Sequence, residues 1–471
     1  MPEKNSIYKV EIADVNRLGY GVSRIDGMAV FVAGGVTGEL CDVRIIKVAK
    51  SYGVGRIEKL YVPSPLRAEQ TCPVYKQCGG CVFRHIDRKY ELELKRSFVM
   101  TEFKKVGLSP EVMPVSTDGR TERYRNKAQF PVDSSLRAGF YKERTHEICE
   151  ADDCLLQPKA FSEIKDKVLA FARENGISGY DEKTGNGILR HINLRASKDE
   201  REIALTLVIN ADDLPKRDLL VEKLKTDPRI KSVSLNINKE NTNVITGRKY
   251  VPLFGKDSIT DTLLGCGFEI SQASFYQTNR GVTELLYSKV HSLVRECEGH
   301  AVADLYCGIG TIGITLAKAL PDISLYGVEI VPEAVENAKR NALRNGLKNA
   351  SFLCADSADA DLEVLKKCDT VIVDPPRSGI SRNVADKLVS SGAKNIVYVS
   401  CAPDTLARDV RYLCDNGFSA DKAFPFDMFP RTGHVETVCL LTRKKGQPHF
   451  PPENEQDETV DQCHTFGDRV H

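Results

Sequence analysis

DLYCGIGTIG, residues 304–313, joins an apolar strand pattern to a helix pattern through three glycines. Glycine lets a ligand approach the backbone closely, and the N-terminus of the following helix favours negative charge. In open sheets flanked by helices, ligands bind where the carboxyl ends of parallel strands meet. The stretch therefore predicts a ligand site at the end of the first strand of such a sheet, without identifying the ligand.

The residues that follow repeat this strand and helix alternation. Helix-like segments such as PEAVENAKRNALRNG, which Gly346 ends, separate four further apolar runs: SLYGVEI, ASFLCAD, TVIVDPP and NIVYVSC. Strands that alternate with helices predict a parallel, doubly wound sheet of the Rossmann type. We assign this sheet to residues 266–445.

A chain of 471 residues is too long for one ordinary hydrophobic core, so we predict an α/β protein of several domains. Residues 1–62 alternate apolar and polar positions between short turns, which predicts an OB-like β-barrel. Residues 63–265 indicate a mixed α+β domain, and its helix near residues 88–106 could pack on the C-terminal sheet. Residues 446–471 contain one basic and six acidic residues, and we expect a disordered tail there.

Charge and cysteine content narrow the function classes. The net charge is +1, but residues 66–130 contain thirteen Lys/Arg against eight Asp/Glu, a balance that suits phosphate contacts or an ordinary solvated surface. The N-terminus has no signal-peptide pattern and no run suits a membrane span, so we expect a cytoplasmic protein. In a reducing compartment its fifteen cysteines are better suited to metal binding or chemistry than to disulfides.

Acidic residues end the strands that follow the glycine-rich loop. Glu329 ends the second strand, where it can accept hydrogen bonds from ribose hydroxyls. Asp356 follows the third strand, where an adenine edge would lie, and Asp374 follows the fourth. Helix capping explains any one of them alone. As a set they indicate a nucleotide-containing ligand such as NAD, a nucleotide or S-adenosylmethionine (SAM).

These motifs resemble a known family. Residues 304–310, Glu329, Asp356 and DPPR (374–377) resemble SAM-dependent methyltransferases. With SCAPDTLARD (400–409) and HVET (434–437) they resemble the RNA uracil-C5 methyltransferases, over almost the whole chain. YRNKAQF (124–130) and SFYQTN (274–279) are further signatures, and residues 1–62 resemble a TRAM domain. The resemblance implies SAM as cofactor and a pocket for cofactor and target base lined by Gln277, Tyr306, Gly308, Glu329, Asp356 and Asp374.

Cys401 stands where a predicted strand ends and a helix begins, a position that suits a small core residue or a nucleophile. Uracil C5 attacks a methyl sulfonium only after a thiolate has added to C6, and a base must then remove the C5 proton. In SAM methyltransferase folds the last strand runs antiparallel beside the fifth. HVETVCLLTRK (434–444) fits that strand and places Glu436 near Cys401, so we assign Cys401 as nucleophile and Glu436 as general base. The resemblance implies the same roles.

The sequence of the loop after the fourth strand favours uracil over other target bases. N6-adenine methylases typically carry Asn-Pro-Pro-aromatic there, and RNA cytosine-C5 enzymes carry a second cysteine, whereas this chain has DPPRSG. By analogy the barrel and the cysteines favour a uridine of 23S rRNA as substrate. The same chemistry on tRNA is the alternative, and a non-catalytic RNA-binding iron–sulfur protein is the competing class.

CPVYKQCGGC (72–81) spaces Cys72, Cys78 and Cys81 as C-x5-C-x2-C. Zinc is one interpretation, but structural zinc sites favour two close pairs, and radical-SAM enzymes use C-x3-C-x2-C. Three local ligands and one distant ligand suit a [4Fe–4S] cluster with a structural role. Cys149 and Cys154 compete as fourth ligand. The resemblance implies Cys154, although Leu155 replaces the family's usual proline.

RNA contacts are predicted from charge and aromatic residues. The chain has no tryptophan, so phenylalanine and tyrosine side chains would stack on the RNA bases. The candidates are Phe130, Phe140, Tyr141 and Phe275. Arg123, Arg125 and Lys127, interleaved with Tyr124, form a predicted strip for phosphate contacts and stacking. We expect RNA as the partner, no DNA and no membrane, and a monomer.

Overall fold

The computed structural model describes residues 1–360 and 362–445; the predicted acidic tail lies outside these residues. The alternating N-terminal sequence forms short strands whose buried side chains include Val30, Val43 and Ile45. They pair in the order β1-β5-β6-β4-β3-β2. The strands are β1 (Ile7–Glu11), β2 (Asp14–Val15), β3 (Tyr20–Ile25), β4 (Met28–Ala33), β5 (Leu40–Val48) and β6 (Tyr52–Val62).

A helix and a short strand follow, α1 (Arg88–Lys105) and β7 (Glu111–Val112). The Asp87 side chain caps α1 by accepting hydrogen bonds from the backbone N–H groups of Lys89 and Tyr90. The helix matches the one predicted near residues 88–106.

The central sheet pairs in the order β14-β13-β12-β11-β8, and two helices cover one of its faces. Phe161, Ile164 and Leu220 on these helices pack against Ile192 and Leu205. The elements are β8 (Lys127–Pro131), β9 (Gly139–Tyr141), β10 (Ile148–Glu150), α2 (Lys159–Glu174), β11 (Leu189–Ala196), β12 (Ile203–Ile209), α3 (Arg217–Lys225), β13 (Ile230–Ile237) and β14 (Lys249–Gly255), with β9 and β10 forming a separate pair.

A hairpin, β15 (Ser258–Leu263) and β16 (Cys266–Ser271), spans the boundary predicted between residues 265 and 266. Ile259, Phe268 and Ile270 share a core with side chains of the C-terminal sheet. Both strands of the hairpin therefore pack with the C-terminal domain, because each contributes to the same apolar layer.

The C-terminal sheet has the order β19-β18-β17-β20-β21-β23-β22-β7. Its strands from β17 to β21 are parallel, while β23 runs antiparallel to β21, as predicted. The elements are α4 (Arg280–Glu296), β17 (Ala301–Leu305), α5 (Thr311–Ala319), β18 (Ser324–Glu329), α6 (Pro332–Arg344), β19 (Ala350–Cys354), a 3₁₀ turn (Ser357–Asp359), α7 (Leu362–Leu365), β20 (Thr370–Val373), α8 (Arg382–Ser390), β21 (Asn395–Ser400), α9 (Pro403–Asp415), β22 (Phe418–Phe426) and β23 (Glu436–Arg443).

The early elements α1 and β7 belong to this C-terminal layer. β7 pairs with β22, and Val99 and Phe103 of α1 lie in one apolar cluster with Leu406 and Val410 of α9. The predicted domain 63–265 is therefore divided, since only its later part builds the central sheet. Among the residues that the structure describes, no helix is long and apolar enough to cross a membrane.

A buried ionic network ties α1 to the segment before β23. The Lys95 ammonium lies 2.5 Å from Asp427 and 3.3 Å from Glu91. It also donates to the backbone oxygen of Phe429 at 3.0 Å. The backbone N–H of Arg431 donates to Glu91 at 2.6 Å, which links this segment to α1 a second time. The network fixes the chain that leads into β23.

Candidate active site

Two adjacent strand ends bring Cys401 and Glu436 together. β21 and β23 pair antiparallel, with Ser400 opposite Thr437. Cys401 directly follows Ser400 and Glu436 directly precedes Thr437, and the charge of Glu436 acts on the Cys401 thiol. Glu436 is buried and Cys401 is partly exposed, so the thiol is the more accessible of the two groups.

Like charges crowd this strand edge. Burial raises the pKa of Glu436 to about 8, with a further rise from Asp374 and an opposing effect from Arg377. Burial also raises the pKa of Cys401 to about 11, where Glu436 and Asp374 raise it and Arg377 lowers it. Asp374 itself has a pKa raised to about 7 by burial. At neutral pH Cys401 is therefore a thiol, and the acids around it do not all carry charge.

Cations surround the same edge, and of these the sequence assigned a role only to Arg125, as a predicted RNA contact. Burial lowers the pKa of His434 to about 4, and the charges of Arg377, Arg17, Lys95 and Arg125 lower it further. A side chain on Gly433 would collide with the Arg17 carbonyl, so the loop after β2 reaches the rim of the site. The motif DPPR already contained Arg377, but its neighbours become visible only in the fold.

The glycine-rich loop and Glu329 meet at the end of β18. The Gly308 N–H donates to Glu329 Oε2 at 2.9 Å, and the Val331 N–H donates to Oε1 at 2.9 Å. Tyr306 and Gly308 both have positive φ, 62° and 56°. A Cβ on Gly308 would meet nothing within 4 Å, which leaves open space beside the loop for a ligand.

Three further features of this edge suit SAM. Burial raises the pKa of Asp304 to about 7; its Oδ2 accepts from the Gly313 N–H at 3.0 Å, while its buried Oδ1 has no partner. Asp356 accepts from the Ala358 N–H at 2.8 Å. The apolar side chain of Ile330, 59% exposed, directly follows Glu329. Sequence reasoning missed Ile330, although an apolar residue beside a ribose-binding acid suits the face of an adenine ring.

The loop with Gln277 is held by the central sheet. The Asn126 side chain donates to the Gln277 carbonyl at 3.0 Å, and the Asn126 N–H donates to the Thr278 carbonyl at 2.9 Å. Phe275 in the same loop is 72% exposed. This loop therefore presents an aromatic ring beside a fixed backbone.

The predicted RNA strip is divided by the fold. Arg123 makes two contacts to Asp153, at 2.7 and 2.6 Å. Tyr124 is buried and donates to the Pro430 carbonyl at 3.1 Å, while Arg125 lies over the rings of Tyr124 and Phe429. The stacking role predicted for Tyr124 is therefore corrected, because its ring packs inside the protein. Phe130 is likewise in the core of the central domain. Lys127 faces a separate cavity.

The cysteines of the predicted cluster gather near β9 and β10. Burial raises the pKa of Cys78 to about 12, and the charges of Cys81, Cys149 and Cys154 raise it further. Cys72 acts in the same way on Cys81 and Cys154. In the described ranges, 1–360 and 362–445, no group of three or more Cys, His, Asp or Glu side chains is arranged to hold a metal ion.

The doubly wound sheet, the glycine-rich loop and the acid that ends β18 define a protein that binds a nucleotide-containing ligand at this sheet edge. Residues 241–444 match the family described as tRNA (Uracil-5-)-methyltransferase. An RNA methyltransferase of Halalkalibacterium halodurans is 39% identical over 454 residues, which cover 94% of this chain and 98% of the relative. One of Clostridium acetobutylicum is 38% identical over 453 residues, with 94% and 98% covered.

A solved structure agrees over most of its length. The crystal structure of Pyrococcus abyssi tRNA (uracil-54, C5)-methyltransferase with S-adenosyl-L-homocysteine is 30% identical, with a TM-score of 0.76. The match covers 92% of this chain and 99% of that one. The chain belongs to the RNA uracil-C5 methyltransferase family and is a SAM-dependent RNA methyltransferase.

Proposed function

We propose that this enzyme methylates C5 of a specific uridine in 23S rRNA, with Cys401 as nucleophile and Glu436 as general base. The observation that carries the proposal is that Cys401 and Glu436 flank the last pair of the β21–β23 ladder, Ser400 and Thr437, and that the charge of Glu436 acts on the Cys401 thiol. A nucleophile and a base at one strand edge, beside a cofactor loop, match what methylation of uracil C5 requires.

The first step belongs to Cys401. After the thiol has lost its proton to solvent, its sulfur forms a bond to uracil C6, and the C5–C6 π electrons move toward C5 and O4. SAM, when bound, would supply an electrophilic methyl group to C5, and its sulfonium sulfur would keep the electrons of the broken sulfur–methyl bond. Arg377 lowers the pKa of Cys401 against the effect of burial, so its charge favours the thiolate. Asp304 and Glu329 would hold the amino-acid and ribose parts of the cofactor, and Gln277, Tyr306, Gly308, Asp356 and Asp374 would complete the pocket.

The second step belongs to Glu436. After C5 has gained its methyl group, the Glu436 carboxylate takes the C5 proton. The C5–H electron pair re-forms the C5–C6 double bond and expels the Cys401 thiolate. Burial raises the pKa of Glu436 to about 8, which makes the ionised carboxylate a stronger base than an exposed glutamate.

The test is covalent trapping on RNA that contains 5-fluorouridine. Fluorine at C5 cannot leave as a proton, so the methylated adduct should survive denaturing electrophoresis with a 23S rRNA fragment and SAM. Cys401→Ala should form no adduct, while Cys297→Ala, at a partly exposed cysteine that directly follows α4 and lies outside the site, should trap RNA like the wild type. A folded wild-type protein that binds SAM but traps neither rRNA nor tRNA would favour a non-catalytic RNA-binding protein.

A tRNA substrate is the second candidate, favoured by the likeness to the Pyrococcus abyssi enzyme. The same experiment with 5-fluorouridine tRNA distinguishes the two. Trapping on tRNA alone would keep the chemistry and replace the substrate.

We also propose a structural [4Fe–4S] cluster on Cys72, Cys78, Cys81 and Cys154. The charges of these cysteines affect one another's pKa values. The Gly80 N–H donates a hydrogen bond to Cys78 Sγ at 3.4 Å, and the Arg84 side chain donates one to Cys81. A four-iron cluster spreads its thiolates more widely than a single ion does, and cations and N–H donors suit its negative charge. Iron and sulfide analysis after anaerobic purification should find about four of each per chain, lost in Cys154→Ser and retained in Cys149→Ser. Loss of iron and sulfide in Cys149→Ser but not in Cys154→Ser would show that Cys149 is the fourth ligand.

The remaining proposals concern RNA and assembly. The N-terminal sheet would act as a TRAM-like RNA-binding module, since its β2–β3 loop reaches the active-site rim through Arg17. Phe275, the exposed aromatic residue, would stack on a base beside the target, and Arg123 and Arg125 would contribute positive charge. The enzyme would act as a cytoplasmic monomer.

A further inference from the structure

A polar pair of strands faces away from the core of the central domain. In the β8–β11 ladder Lys127 stands directly opposite Arg195, and Gln129 stands opposite Asn193. Their neighbours Ala128, Phe130, Ile192 and Leu194 fill the core under α2 and α3. Because side chains alternate along strands, the four polar side chains share the other face.

The two cations are unneutralised. Like charges directly opposite each other destabilise a strand pair, yet neither cation has a carboxylate partner in the described part of the chain. Arg195 donates to the Ser274 carbonyl at 2.7 Å and the Ser271 carbonyl at 3.4 Å. Burial lowers the pKa of Lys127 to about 8, and the charge of Arg195 lowers it further. Among the described residues, no carboxylate relieves this repulsion in the folded protein.

The polar face opens into a cavity. Lys127, Gln129, Asn193 and Arg195 line a cavity of about 70 Å³ with Thr246 and Tyr250, among other residues. Asn193 Oδ1 is buried without a hydrogen-bond partner. An acceptor, amide groups and two cations at one cavity suit a ligand with a phosphate and a hydrogen-bonding ring.

The cavity adjoins the loop that carries Phe275 and Gln277. Its wall includes residues 271–273, and Asn126, the residue before Lys127, holds the backbone of Gln277 and Thr278. A strand that places a uridine beside Gln277 would thus meet the cavity on the central-domain side of the same loop.

We propose that Lys127 and Arg195 bind a backbone phosphate of the substrate RNA beside the target uridine, with Gln129 and Asn193 contacting the adjoining nucleotide. The proposal rests on the proposed function, since it takes single-stranded RNA as the ligand. A phosphate neutralises both cations at once, and the amides offer donors and acceptors to a base edge.

The first test is RNA affinity against salt. The probe is the unmodified RNA fragment trapped by the wild type, or a single-stranded uridine-rich oligoribonucleotide if none is trapped. Lys127→Gln should weaken binding about five- to tenfold at low salt and reduce the slope of log K against log salt by about 0.7, the value for one single-strand phosphate. Lys231→Gln, at an exposed position of β13 on the same sheet, should match the wild type. Equal affinity and slope for Lys127→Gln would overturn the proposal.

The second test avoids variants. Pulse acylation of the wild-type protein, read by mass spectrometry, should label Lys127 readily and lose that label when the RNA is added. Inorganic phosphate and uridine monophosphate serve as competing probes, and protection by either one without protection by RNA would overturn the proposal. Trapping by the wild type without protection of Lys127 would refute this site alone. Protection without trapping would refute the methylation mechanism alone.

Discussion

The charge around Cys401 opposes the thiolate that the chemistry needs. Glu436 and Asp374 both raise the pKa of this thiol, and Arg377 is the cation that lowers it. Nucleophilic cysteines usually lie in electropositive surroundings. The enzyme therefore depends on Arg377, and on the positive charge that SAM would bring when bound, to reach the reactive state.

This balance predicts a rate that rises with pH. Between pH 6 and pH 9 the ionised fraction of Glu436 and the thiolate fraction of Cys401 both increase, because their pKa values are about 8 and about 11. Arg377→Gln removes a charge that lowers both pKa values, so the rising limb of kcat/KM should move to higher pH. Radiolabelled methyl transfer to RNA across this range measures it.

The control is Arg382→Gln, at an exposed arginine of α8 whose ion pair is with Asp386. Its pH profile should follow the wild type. An Arg377→Gln profile that keeps its midpoint while losing overall rate would show that Arg377 binds RNA without tuning these two groups.

At the scale of elements, α1 is the component that completes the catalytic layer. Its apolar face packs on α9, and its buried Lys95 and Glu91 hold the segment from Asp427 to Arg431. A buried ionic group stabilises a fold only while every member has its partner. The approach to β23, and with it the position of Glu436, depends on this helix.

Lys95→Met should therefore destabilise the protein by about 3–5 kcal/mol, because Glu91 and Asp427 lose a buried partner. Urea unfolding followed by far-UV circular dichroism gives the free energy of unfolding. The matched variant is Lys105→Met near the exposed end of the same helix, which should change stability by less than about 0.5 kcal/mol. Similar losses in both variants would mean that the buried network is not the source of the effect.

Local patterns predicted the elements well, and long-range contacts account for what they missed. The apolar runs before Glu329 and Cys401 identified the strands, and the register of Glu436 followed from the antiparallel last strand. The partner of α1 lies about 300 residues later in the chain, where no local pattern could indicate it. Tyr124 has an aromatic side chain beside arginines in sequence, but the Pro430 carbonyl that fixes it inside the fold comes from a distant segment.

At the scale of the whole molecule, three buried acids couple stability to pH. The pKa values of Asp304, Asp374 and Glu436 are raised to about 7, 7 and 8, whereas unfolded carboxyls titrate near pH 4. Between these limits the three acids hold more protons in the folded chain than in the unfolded chain, so their contribution to the free energy of unfolding falls as pH rises.

The melting temperature of the SAM-free enzyme should thus drop by about 2 °C or more between pH 7 and pH 8.5, above the range in which unfolded histidines titrate. Differential scanning fluorimetry measures this drop, and Glu436→Gln should make it smaller because one titrating group is removed. A melting temperature that rises over the same interval would contradict the assignment of these acids as protonated in the fold.

The union of α1 and β7 with the last strands has a consequence for synthesis on the ribosome. Val99 and Phe103 are translated long before Leu406 and Val410, the residues they pack against. At ~5–20 residues per second, the nascent helix waits roughly 15–60 s with its apolar face unpaired. The C-terminal sheet is complete only when β22 and β23 have emerged, so the α1 residues that pack on α9 stay exposed on the growing chain until near the end of its translation.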